Sequence, residues 1–235
     1  MANRHKALSF VYKRRHVFAD IDGRRWLVDT GSDRCVSDQP SLTFEGQQYP
    51  AYAEYGGLTV QRLNEFVGVR HDGLLGNAVL NQFDWDIRLA LQQAEYSDRY
   101  LAVPGTVVPF RDWHTLPLVE AEVDGHRGTW VFDTGAPVCY WQDPAKRQTY
   151  PDAGPYRDFF PGGFGWFDTH TNVVPFTVGG LTIPMRTGTL PKHVEPFVKA
   201  VGAEGIIGNE VFVNRRVGWF PRRHQLVLGD RDDVL

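Results

Sequence analysis

The chain is poor in sulfur. Two cysteines and two methionines occur in 235 residues, which excludes a disulfide scaffold and a multi-cysteine metal ribbon. There is no Asn-x-Ser/Thr sequon either, and with so little cysteine the expectation is a reducing, cytoplasmic setting. The opening MANRHKALSFVYKRRH contains no apolar segment of the secretory kind, although a processed mature chain would look the same. No apolar run is long enough to span a bilayer. Charge of one sign is also lacking: 25 Lys and Arg stand against 28 Asp and Glu, for a net charge of −3. So even a balance speaks against nucleic-acid or membrane-surface partners. The arginine pairs at 14–15, 24–25, 215–216 and 222–223 are dispersed among acids and read as solvated faces. The histidines show no HExxH spacing, and the Gly-Gly pairs fit neither GxGxxG nor Gly-Lys-Ser/Thr. The expectation is therefore no metal and no organic cofactor.

Turn formers and aromatics are plentiful, with 24 glycines, 15 prolines and 13% Phe, Trp and Tyr, while long helical periodicity is scarce. This predicts an all-β chain with many turns. Short helices are expected at 144–149 behind an Asp143 cap, at 78–82, and at 191–201 with Gly202 as its stop.

The chain is also written twice. ADIDGRRWLVDTGS at 19–32 matches AEVDGHRGTWVFDTGA at 121–136. Each reads as a hairpin with an Asp-Gly turn, Asp22-Gly23 or Asp124-Gly125, whose return strand ends in Asp-Thr-Gly. GGLTV at 56–60 is set against GGLTI at 179–183, and DGLLGNAVL at 72–80 against EGIIGNEVF at 204–212. A strand through a tryptophan closes each half, in FDWDIRLALQQ and VGWFPRRHQLVLG. The motif aspartates, Asp29 and Asp133, lie 104 residues apart, and the second half carries an insertion of 28, most of it between Tyr140 and Gly179. The halves are taken as 1–97 and 114–235, joined by a linker at 98–113.

A single Asp-Thr-Gly after a strand is an ordinary capped turn. A duplicated one in a duplicated frame asks for another reason. Two similar halves meeting about a local two-fold axis set Asp29 against Asp133. Carboxyls in contact hold one proton between them, so one acts as base toward a water and the other as acid. Gly31 and Gly135 let backbone N–H groups approach the carboxyls. Thr30 and Thr134 are placed to hydrogen-bond across the axis. Ser32 can donate to its carboxylate, and Ala136 cannot. Cys35 and Cys139, each six residues after an aspartate, read as small buried apolar residues.

These landmarks, VDTGS with LLG and FDTGA with IIG in the same order, resemble the pepsin and retropepsin superfamily of aspartic peptidases over nearly the whole chain. The resemblance implies two pseudo-symmetric closed β-barrel lobes with a cleft between them, each the size of a retropepsin subunit. It implies an endopeptidase in which Asp29 and Asp133 activate water, an extended polypeptide as substrate, and a monomer, since both half-sites are on one chain. It also implies a flap over the cleft. PGGFGW at 161–166 is the best hairpin tip, so Gly162, Gly163, Phe164, Gly165 and Trp166 are the expected flap residues, with Phe164 and Trp166 closing over an apolar substrate. Asp33 either holds substrate or partner backbone, as in retropepsins, or is a plain ion-pair residue. A catalytically inactive peptide-binding module of the same fold is the alternative.

Overall fold

The computed structural model describes residues 6–162, 165–213 and 215–231. Strands dominate: among the described residues there are nineteen, against four short α-helices and three 3-10 turns. None of these helices is long and apolar enough to cross a membrane. Both Asp-Gly pairs form two-residue hairpin turns with positive φ at each position, 50° and 75° in the first, 53° and 73° in the second. The turns join His16–Ile21 to Arg24–Val28 and Leu116–Val123 to His126–Phe132.

One pairing pattern positions both motif aspartates. Arg24–Val28 runs parallel to Gly73–Leu75, with Val28 opposite Leu75. The short strand Cys35–Ser37 then covers the other edge of Gly73–Leu75. The second half repeats this with His126–Phe132, Gly205–Ile207 and Cys139–Trp141. The Leu-Leu and Ile-Ile pairs are therefore central strands, which accounts for their unbroken apolar character.

The match of GGLTV to GGLTI does not hold as a structural one. Cys35 pairs with Ala51 and Cys139 with Thr187, so Gln47–Tyr52 corresponds to Leu181–Gly188. The counterpart of the Gly179-Gly180 turn is Glu45-Gly46, which joins Ser41–Phe44 to Gln47–Tyr52. GGLTV instead leads into a helix, Val60–Val67, that the sequence reading did not anticipate. Its signals are all local. Thr59 Oγ1 accepts from the Arg62 N–H at 3.2 Å, Val60, Leu63 and Val67 form the buried stripe, and Gly68 ends it at φ 65°. Matching GGLTV to GGLTI by letters hid that period. The expected helices are present but shorter, at Asn77–Leu80, Pro144–Arg147 and Glu195–Ala200. The insertion in the second half is the long hairpin Asp152–Phe160 and Gly165–Val178. The range taken as linker, 98–113, ends in the strand Thr106–Trp113, which pairs with Gln225–Arg231 and Leu116–Val123.

The tryptophan strands join the halves. Asp84–Arg88 pairs antiparallel with Arg215–Phe220, Trp85 opposite Trp219, in a sheet continued by Gln93–Ser97 and Lys6–Lys13 on one side and by Gln225–Arg231 on the other. This corrects the reading of the arginine pairs. Arg25 does pair with Asp20 on its hairpin, but Arg216 grips the buried Asp86 at 2.8 and 2.6 Å. Arg222 and Arg223 hold the buried Asp84 at 2.9 and 2.8 Å. Asp84 also accepts from the Leu101 N–H at 3.1 Å. These charges are an inter-half clamp, which composition could not reveal because the partners lie more than 120 residues apart in sequence. Removing Asp84 takes the buried acceptor from two partly exposed arginines that keep their hydrogen bonds to the carbonyls of Ser97, Asp98, Arg99 and Leu101, so Asp84→Ala is expected to cost about 1–3 kcal/mol in urea unfolding. An unchanged midpoint would mean that the clamp contributes nothing net.

Candidate active site

Each aspartate is fixed at its backbone by the central strand beside it. The Asp29 N–H donates to Leu75 O and the Asp133 N–H to Ile207 O, both at 3.0 Å. The chain then turns back on the carboxyl: Gly31 N–H donates to Asp29 Oδ1, and Gly135 N–H to Asp133 Oδ1, each at 2.8 Å. The threonines lock the two loops together. Thr30 N–H donates to Thr134 Oγ1 at 2.9 Å and Thr134 N–H to Thr30 Oγ1 at 3.0 Å. Each hydroxyl in turn donates a hydrogen bond to the opposite strand, Thr30 to Phe132 O and Thr134 to Val28 O, both at 2.9 Å. All four bonds cross between the halves and all are buried, where an unmade partner costs most.

The glycines are required by approach. A Cβ on Gly31 would lie 2.5 Å from Asp133 Cγ, and one on Gly135 would lie 2.7 Å from Asp29 Cγ. Each loop thus presses its backbone against the opposite carboxyl, and the two carboxyls are neighbours. Burial raises both above the usual carboxylate range, and the charge of Asp133 raises Asp29 further. The hydrogen bond with Asp29 and the N–H groups of Gly135, Ala136 and Gly31 hold Asp133 lower than burial alone would. Two carboxyls in such contact favour sharing a single proton.

Two asparagines complete the loops, and the sequence reading passed over them. Asn77 Nδ2 donates to Thr30 O at 2.8 Å and to Thr115 O at 2.9 Å. Asn209 Nδ2 donates to Thr134 O at 3.0 Å and to Arg15 O at 2.8 Å. Each therefore ties the aspartate loop of its own half to a hairpin turn of the other. Their signal was available, since Gly-Asn follows both the Leu-Leu and the Ile-Ile pair. Ser32 differs from expectation: its hydroxyl donates to Arg34 O at 2.9 Å, and its backbone N–H, not its side chain, helps to lower Asp29. Asp33 pairs with Arg34 at 3.5 Å. Cys35 and Cys139 are free and fully buried.

The largely buried carboxyls lie on the floor of a cavity of about 610 Å³. Leu27, Leu58, Leu63 and Leu74 line its first-half wall, and Val131, Leu190, Val198 and Ile206 its second-half wall. The long hairpin roofs it. Gly162 N–H donates to Gly56 O at 2.6 Å, and Phe159 stacks on Phe66 of the helix Val60–Val67 at 4.5 Å. The roof comes from the second half and rests on the first. Gly162 lines the cavity, and Gly165 opens the return strand opposite Phe160. Trp166 packs edge-on against Phe66 at 5.0 Å and remains 43% exposed, so it clasps the roof, and the roof's own aromatic lining is Phe159 and Phe160. Gly163 and Phe164 lie outside the described residues. Asp158 and Tyr140 also line the cavity and were not anticipated. Nothing in the stretch YRDFF marks its aspartate.

No protein-family model matches the chain, and no curated protein matches it by sequence. Among the described residues no group of three or more His, Cys, Asp or Glu is placed to hold a metal ion.

Proposed function

We propose that the chain is an aspartic-type endopeptidase of pepsin and retropepsin kind, built as two lobes that each provide one carboxyl. The observation that carries this is the reciprocal approach of Gly31 to the Asp133 carboxyl and of Gly135 to that of Asp29, on the floor of an apolar, roofed cavity. A carboxyl pair with one proton matches the needs of peptide hydrolysis. The ionised member takes a proton from a water as that water attacks the scissile carbonyl, and the protonated member gives its proton to the carbonyl oxygen. Collapse of the tetrahedral species then returns a proton to the leaving nitrogen. The dry walls keep the shared proton from bulk solvent and take up the side chains of an extended polypeptide. Both half-sites belong to one chain, so the active form is a monomer.

The test is incubation with a complex peptide mixture in ¹⁸O water from acid to neutral pH, read by mass spectrometry. New carboxyl termini carrying one ¹⁸O, at sites flanked by preferred side chains, are the expected result. Silence at every pH would overturn the peptidase reading in favour of a peptide-binding module.

A further inference from the structure

The cavity holds three carboxyls, and no lysine, arginine or histidine is among the described residues that line it. The third carboxyl is Asp158, on the roof strand Asp152–Phe160 and only 5% exposed. Its oxygens accept from the Tyr140 hydroxyl and from the Phe159 N–H at 2.8 Å. Both donors are neutral. A carboxylate accepts about four hydrogen bonds in all, so acceptor positions remain. Burial pushes Asp158 up to about 6, which still leaves it ionised at neutral pH. Buried charges are ordinarily paired with an opposite one, and Asp158 has no such partner among the described residues.

The two walls differ in this respect. The first-half wall, around Leu58, Leu63 and Leu74, belongs to an apolar cluster that Phe159 joins and whose one hydroxyl, on Tyr55, is hydrogen-bonded to Asp33. The second-half wall contains Leu190, Val198 and Phe160 together with Tyr140, the residue that holds Asp158.

We propose that Asp158 is the polar end of a side-chain subsite on the second-half wall and that it selects a lysine or arginine of the bound peptide. This rests on reading the cavity as a peptide cleft. The aliphatic stem lies along Phe160, Leu190 and Val198, and the cationic head reaches the carboxylate, the usual division of labour in these side chains.

The test uses short peptide pairs that differ only by lysine or norleucine next to the scissile bond, scanned on both sides of it. On one side the native chain is expected to prefer lysine in kcat/KM by at least about thirtyfold. Asp158→Asn is expected to lose that preference while still cleaving the norleucine peptide, and Asp158→Glu to keep it. A native chain without the preference, an Asp158→Asn chain that retains it, or equal loss in both variants would overturn the assignment. The same pairs are titrated onto the Asp29→Asn chain by calorimetry. Tighter binding of the lysine peptide there, with no cleavage by the native chain, would sustain the subsite while the peptidase reading fails. Equal or absent binding would remove the subsite.

Discussion

A chain carrying Asp29→Asn or Asp133→Asn is expected to lose about 10⁴-fold or more in kcat, with no loss of stability against urea. The two halves of that result are linked. In the native pair each carboxyl is raised because it is buried, and Asp29 additionally because a second carboxyl stands beside it. Replacing one with the isosteric amide removes the repulsion, so at neutral pH the variants are expected to unfold at equal or higher denaturant, by up to about 2 kcal/mol. The amide keeps the hydrogen bond from Gly31 or Gly135 but cannot exchange a proton with water. A variant that was inactive and also unfolded would mark the aspartate as structural. Activity retained by either variant would end the dyad mechanism outright, since a single carboxyl would then suffice.

The second large effect concerns acid. His16 donates Nδ1–H to Arg14 O at 2.8 Å, while its Nε2 is buried with no partner among the described residues. Burial lowers its pKa from 6.5 to about 4, and the nearby His71 and Arg15 push the same way. His71 is likewise lowered by burial, though Asp72 opposes this. The folded chain thus keeps His16 neutral where the unfolded chain would protonate it. Stability from this group is complete above the unfolded value of 6.5 and is lost as pH falls toward 4, by about 3 kcal/mol in total. The raised carboxyls work in the opposite sense. Asp158, raised to about 6, costs stability when ionised and regains it as the pH falls. The clean observable is therefore a difference. Between about pH 7 and pH 4, the stability gap between the native chain and His16→Asn should move by about 3 kcal/mol in favour of the variant. Urea titrations at the two pH values measure it, and a constant gap would show that His16 is not held neutral.

How much was readable beforehand follows from where the information lies. The two aspartates, their threonines and their glycines were legible because the duplication placed them in matching frames, and the hairpins because Asp-Gly turns are short-range signals. The helix Val60–Val67 was equally local, with its Thr59 cap and Gly68 stop, and was lost to a literal match of five letters. The roof was legible as a glycine-rich tip, but its landing place was not. Phe66 and Phe159 are a stacked pair only after the halves close. Asp84, Asp86 and Asp158 carry no signal in the sequence because what buries them is tertiary: arginines from the other half in two cases, a tyrosine hydroxyl in the third.

The single roof has a last consequence. A cleft made of two identical halves with two identical covers cannot tell a peptide from the same peptide turned end for end. Here the long hairpin arises on one side and lands on a helix of the other. On the proposed reading, a peptide chain laid beneath it meets a different wall at each end, so its two orientations are not equivalent.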